Sequence, residues 1–117
     1  MSQITTHVLD TTRGTPAEGL PIRLSQWQNN EWQLLGEGRT NADGRITDLL
    51  NPEEALPAGQ YQMHFDTQPY FDANGETGFY PFVDIVFTID EANAQAKAHY
   101  HIPLLLTAYG YSTYRGS

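Results

Sequence analysis

Four histidines, one arginine behind a tight turn and a tail rich in hydroxyls and cations are the parts of this chain equipped for chemistry. Imidazole is the one side chain whose unperturbed pKa, about 6.5, lets it exchange protons near neutrality. His99 and His101 stand two apart in an apolar and aromatic run. In a strand both point to one face, while Tyr100, Ile102 and Leu104 point to the other. That spacing suits two ligands of one metal ion, ordinary hydrogen bonds at a sheet surface, or a catalytic histidine. With no cysteine and no obvious third ligand, catalytic use of one of them outweighs zinc. His7, flanked by Thr5, Thr6 and Val8, reads by itself as structural. His64 falls on the polar side of an alternating strand and reads as a solvated surface residue.

Arg45 follows Asn41-Ala42-Asp43-Gly44, a turn in which glycine supplies positive φ and aspartate can bond its own backbone. Such an arginine is usually a solvated charge. The run Ile102 to Leu106 leads through Tyr109 and Tyr111 into Tyr114-Arg115-Gly116-Ser117. Loose ends are normally bland and mobile, so a strand-like lead-in that can hold Tyr114, Arg115 and Ser117 in place points to a site. His7, Arg45, a histidine of the 99/101 pair and this tail together supply proton-transfer groups, fixed cations and hydroxyls. Such a set suits hydrolysis of a small polar molecule. Ser117 has no Gly-x-Ser-x-Gly context and reads as a residue that orients water or substrate, not as a nucleophile.

The elements that must carry these groups are short strands. Tyr61, Met63 and Phe65 interleave with Gln62, His64 and Asp66, which gives one apolar and one polar face. Ile4–Asp10, Leu20–Gln28, Trp32–Thr40, Val83–Ile89 and His99–Leu106 read as further strands. Turn residues separate them at 13–16, 41–44 and 57–59. Two stretches fit short helices: Gln68–Gly75, and Asp90–Lys97 with Asp90 as N-cap. Seven or eight such strands predict an all-β fold, an antiparallel sandwich.

A chain of 117 residues makes one domain spanning 1–117, large enough for one continuous core. Without cysteine there is no disulfide framework and no thiolate chemistry, so stability rests on packing and association. A net charge of -8 repels phosphate backbones and anionic lipid alike, which argues against nucleic acid and membrane surfaces as partners. No apolar stretch is long enough to span a bilayer, and residues 1–10 lack the pattern of a signal peptide, so the expected compartment is the cytoplasm.

The blocks Thr6-His7-Val8-Leu9-Asp10, Thr40-Asn41-Ala42-Asp43-Gly44-Arg45, His99-Tyr100-His101-Ile102-Pro103-Leu104-Leu105-Leu106 and Tyr109-Gly110-Tyr111-Ser112-Thr113-Tyr114-Arg115-Gly116-Ser117 together resemble the 5-hydroxyisourate hydrolases, or transthyretin-like proteins. The resemblance runs from Ile4 to Ser117, and the terminal Tyr-Arg-Gly-Ser is its most specific part. It implies a transthyretin-like sandwich of two sheets with one short helix at Gln68–Gly75. It also implies a homotetramer, a dimer of dimers, with active sites at the subunit interface. The implied catalytic residues are His7, Arg45, His101 and Ser117, with His7, Arg45, Tyr114 and Arg115 binding substrate; His99 has no implied catalytic role. The implied reaction is hydrolysis of 5-hydroxyisourate, a cyclic amide of urate degradation, to 2-oxo-4-hydroxy-4-carboxy-5-ureidoimidazoline, with no metal or organic cofactor. The alternative is a non-catalytic member of the same sandwich class that binds a small ligand or a partner protein.

Overall fold

The structure is a computed structural model that describes residues 2–116. Nine strands and two helices follow one another among these residues: β1 Ile4–Asp10, β2 Thr15–Pro16, β3 Pro21–Gln28, β4 Glu31–Arg39, β5 Arg45–Ile46, β6 Gly59–Phe65, α1 Thr67–Ala73, β7 Val83–Ile89, α2 Glu91–Gln95, β8 Tyr100–Leu106 and β9 Tyr111–Thr113. They form two sheets. One runs β2-β1-β8-β9, with β5 also on β1; the other runs β4-β3-β6-β7.

Period-2 patterning explains why the sheets face each other. Tyr61, Met63 and Phe65 of β6 are wholly buried while Gln62 and His64 alternate outward. From the opposite sheet, Ile4 and Val8 of β1 and Tyr100, Ile102, Leu104 and Leu106 of β8 meet them. Stacked aromatics join the layers: Phe87 lies 5.9 Å from Tyr61 and 6.0 Å from Tyr100, centroid to centroid.

Six of the expected strands stand within two residues of their sequence limits. The pairing departs from a purely antiparallel pattern once: β1 and β8 run parallel along their whole lengths, Ile4 opposite Tyr100 through Asp10 opposite Leu106. Since β8 occupies one edge of β1 throughout, β5 and β2 share the other, at Thr6–His7 and Leu9–Asp10 respectively. Both expected helices form, so the fold carries two and not one; α2 is capped by the Asp90 carboxylate, which accepts from Asn93 N at 2.8 Å.

A buried polar pair anchors α1 against the first sheet. Tyr70 Oη donates to Asp10 Oδ2 at 2.7 Å, and Asp10 Oδ1 accepts from Arg13 N at 3.1 Å. Burial and the neighbouring Asp10 carboxylate push the Tyr70 phenol well above its ordinary pKa, so it stays a donor.

Candidate active site

The parallel register of β1 with β8 sets Thr5 opposite His101, and the antiparallel register of β1 with β5 sets His7 opposite Arg45. Thr5 and His7 alternate with the inward Ile4, Thr6 and Val8, so they lie on the outer face of the sheet. His101, between the buried Tyr100 and Ile102, lies on the same face. Three segments far apart in sequence thus bring two histidines, an arginine and a threonine together.

Arg45 owes its place to the turn before it. Asn41 Oδ1 accepts from Asp43 N at 2.9 Å and Arg45 N at 3.1 Å, so the asparagine, and not Asp43 as the turn's sequence suggests, ties the loop. Gly44 takes φ 74° and its carbonyl accepts from Val8 N at 2.8 Å. A Cβ at Gly44 would stand 2.4 Å from the Val8 carbonyl oxygen, so only glycine lets the turn close on β1.

A recess of about 160 Å³ opens on this face, lined by Thr5, Thr6, Arg45, Ile46, Thr47, His99 and His101. His7 is outside its lining but near enough to act on His101 electrostatically. Burial, then the positive charge of Arg45, then His99 and His7, hold the His101 pKa below its ordinary value. This favours the neutral ring, the state that can accept a proton.

His99 and His101 face the same way, as their spacing predicts, with rings 6.5 Å apart. Their near nitrogens converge on one hydroxyl: Thr5 Oγ1 is 2.9 Å from His99 Nε2 and 2.9 Å from His101 Nδ1. Among the described residues there is no group of three His, Cys, Asp or Glu side chains placed to hold a metal ion. Thr5 is the contributor that sequence reasoning missed, because it pairs with residues more than ninety positions away.

The tail returns to the same face in part. Gly116 pairs with His101 in an antiparallel bridge, its N donating to the His101 carbonyl at 2.8 Å. A Cβ on Gly116 would lie 2.6 Å from His101 Cδ2, so the tail passes directly beside the imidazole. Tyr114 and Arg115 line a different recess, of about 250 Å³, with Ile85, Phe87, Thr88, Tyr100, Ile102 and Thr113. The Arg115 guanidinium lies over the Tyr100 ring, 4.3 Å from its centroid. The structure therefore gathers His7, Arg45 and His101 and sets the Arg115 side chain apart from them. Ser117 lies outside the described residues.

His64 belongs to the other sheet and is more engaged than a solvated surface residue. Its Nδ1 contacts Asp84 Oδ1 at 2.6 Å and its Nε2 contacts Asp66 Oδ1 at 2.9 Å, with Phe82 stacked at 5.1 Å. Asp84 is its cross-strand partner on β7, a neighbour that β6 alone does not disclose.

Fold and site together define a two-sheet sandwich bearing a histidine-arginine cluster on one open sheet face. The chain belongs to the HIUase/Transthyretin family, whose model matches residues 4–116. It is 45% identical to the 5-hydroxyisourate hydrolase of Mus musculus, an alignment covering 99% of this chain and 96% of that protein. Among solved structures, the 5-hydroxyisourate hydrolase of Klebsiella pneumoniae superposes with a TM-score of 0.82 at 36% identity, covering 97% of this chain and 98% of that one. Transthyretin from Sparus aurata superposes with a TM-score of 0.90 at 31% identity, covering 99% and 97%. Likeness of fold does not separate a hydrolase from a transthyretin. The side chains on the open face must do so.

Proposed function

We propose that this chain is a hydrolase that opens the six-membered ring of 5-hydroxyisourate to 2-oxo-4-hydroxy-4-carboxy-5-ureidoimidazoline, a step of urate degradation. The observation that carries the reading is the strand register that sets His7 opposite Arg45 and brings both to the sheet face that bears His101. Curated relatives at this level of identity bear the hydrolase name.

Water attacks a ring carbonyl while an imidazole of the His7/His101 pair takes its proton, a contribution of roughly 10²- to 10⁴-fold from general-base catalysis. The oxyanion forms beside the Arg45 guanidinium, permanently charged and exposed toward the recess. As the C–N bond breaks, the histidine returns the proton to the leaving ring nitrogen. Tyr114 and Ser117 orient substrate and water in this reading, and Arg115 acts through the tail it fastens over Tyr100.

The same reading makes the working form a homotetramer in the cytoplasm, with sites completed between subunits. Two features support assembly. The cluster sits on an open sheet face, with Arg45 and His99 exposed. Phe79, Tyr80, Tyr109, Tyr111 and Tyr114 are also exposed on the single chain.

The test is spectroscopic. Fresh 5-hydroxyisourate decays by itself, so added protein should accelerate loss of its ultraviolet band, and His7→Ala and His101→Ala should each abolish the acceleration while leaving a folded oligomer. A decay rate unchanged by wild-type protein would overturn the reading. Sedimentation of the wild-type protein at working concentration checks the tetramer separately.

A further inference from the structure

Thr5 stands between two imidazoles with a single hydroxyl proton to give. It is only 8% exposed, yet it lies on the outer face of β1, covered by the rings it contacts. A hydroxyl bonded to two ring nitrogens donates to one and accepts from the other. Only two arrangements of the trio with neutral rings are therefore possible.

In the first, Thr5 donates to His101 Nδ1, and His101 carries its proton on Nε2. The nitrogen facing away from Thr5 is then a donor and cannot accept a proton. In the second, Thr5 donates to His99 Nε2 and accepts from His101 Nδ1–H. His101 Nε2 then keeps its lone pair, and the proton of His99 sits on Nδ1. We propose that the second arrangement operates: Thr5 is a positioning residue that makes His101 Nε2 the general base and links it to His99 as a proton outlet. The proposal rests on the hydrolase reading above and names the base within it.

The surroundings favour that direction of flow. His101 is half-buried, with Arg45 of β5 and His7 of β1 bearing on it, so added positive charge there is costly. His99 is exposed and borders a wide groove of about 530 Å³ shared with Lys97, Glu53 and Glu54. A proton taken from water at His101 Nε2 is matched by transfer of the Nδ1 proton to Thr5 Oγ1. The Thr5 hydroxyl proton passes at the same time to His99 Nε2. His99 Nδ1–H then releases one proton to solvent; as the C–N bond breaks, His101 Nε2–H protonates the leaving ring nitrogen, and the reverse shift, with His99 Nδ1 taking one proton from solvent, restores the starting arrangement. The positive charge thus passes from a half-buried ring to one that water can reach.

Imidazole ¹⁵N NMR of the wild-type protein at pH 8 tests the first half without substrate. His101 should show a protonated Nδ1 and a bare Nε2; the opposite tautomer overturns the proposal. Thr5→Val keeps the side chain's shape and removes the hydroxyl. It should shift His101 toward mixed tautomers and lower kcat by roughly 10- to 100-fold, the range for losing a group that orients a functional histidine, with KM nearly unchanged. Thr5→Ser should restore both. His99→Gln should lower kcat while leaving the His101 tautomer in place, since an amide can still accept from Thr5 but cannot carry the proton onward. An active wild type whose kcat is indifferent to Thr5→Val or to His99→Gln overturns the relay. A wild type without hydrolase activity but with the stated tautomers overturns the functional reading and leaves the positioning by Thr5 standing. Should Thr5→Val fail to fold, the wild-type tautomer and the His99→Gln kinetics still decide.

Discussion

His7 and Arg45 face each other as register partners across the two-residue ladder between β1 and β5, and this places a fixed cation beside a titratable ring. Arg45 also lowers the pKa of His101, second only to burial. One side chain therefore has two effects that experiment can separate. Arg45→Gln should lower kcat/KM by roughly 10²- to 10³-fold through loss of oxyanion stabilisation. It should also move the acid limb of the remaining activity to higher pH, because the charge that depresses His101 is gone. Arg45 is exposed, so the thermal midpoint should stay within a few degrees of wild type. Kinetics across pH with a parallel melting curve checks all three.

Much of this arrangement was open to reading from the sequence, and the remainder had physical reasons to stay hidden. β6 and β7 alternate cleanly because each presents one face to the core, and period 2 records that directly, whereas β8 shows itself as a nearly continuous apolar run. The two-residue strands β2 and β5 carry no period of their own; they exist because β1 offers them an edge. Likewise the parallel pairing of β1 with β8 joins opposite ends of the chain, and no local pattern encodes it. The contrast between Gly116 and Arg115 comes from the same source. Once Gly116 bridges to His101, the preceding residue turns to the other side of the strand, and Arg115 meets Tyr100 and not Arg45. Nothing local separates Thr5 from Thr6 beside it, because its two histidine partners come from the far end of the chain.

Activity should depend on pH in the direction set by His101. A base must be neutral to work, and burial together with Arg45, His99 and His7 holds the His101 pKa below about 6.5. The rate should be flat near neutrality and fall only on acidification below that value. Stability should follow the same sign. Below about pH 6.5 the unfolded chain binds a proton at this position that the folded chain resists, so acid favours unfolding until pH drops through the lowered value. Above pH 6.5 this site contributes nothing to the pH dependence of stability. A kcat/KM profile from pH 4.5 to 8.5 checks the first expectation. Denaturant unfolding of wild type and His101→Gln over the same range checks the second, since the variant should lose this share of acid sensitivity.

The Tyr70–Asp10 bond should matter for stability and not for chemistry. Asp10 is 1% exposed and uses one oxygen on Arg13 N and the other on Tyr70 Oη. Tyr70→Phe leaves a buried carboxylate oxygen without a donor, a loss of about 1–3 kcal/mol or more for a charged acceptor. The side chain otherwise keeps its packing in the cluster with Phe71. Urea unfolding should show a lower midpoint with an unchanged slope, while kcat per folded protein stays near wild type because α1 does not touch the recess.

Gly116→Ala offers the narrowest test of the tail. The glycine passes beside His101 so closely that one added carbon meets Cδ2 at 2.6 Å, with Cβ and Cγ at 3.2 Å. A real Cβ contact cannot be held there, so either the tail lifts or the ring turns. If the tail lifts, the bridge from Gly116 N to the His101 carbonyl breaks, at a net cost of about 0.5–1.5 kcal/mol. Turning the ring instead breaks the Nδ1 contact with Thr5. Either response degrades a site that needs its base placed to within a fraction of an ångström, so kcat should fall by at least 10²-fold, in line with the cost of a 1 Å misplacement. The core is untouched and the fold should persist. Removal of residues 114–117 should give the same outcome more severely, with Arg115 lost from the Tyr100 ring as well. Comparing the two variants by ultraviolet assay and by His101 ¹⁵N shifts separates the pathways. A turned ring changes the tautomer signal in Gly116→Ala but not in the truncated chain, whereas a lifted tail leaves His101 bonded to Thr5 in both.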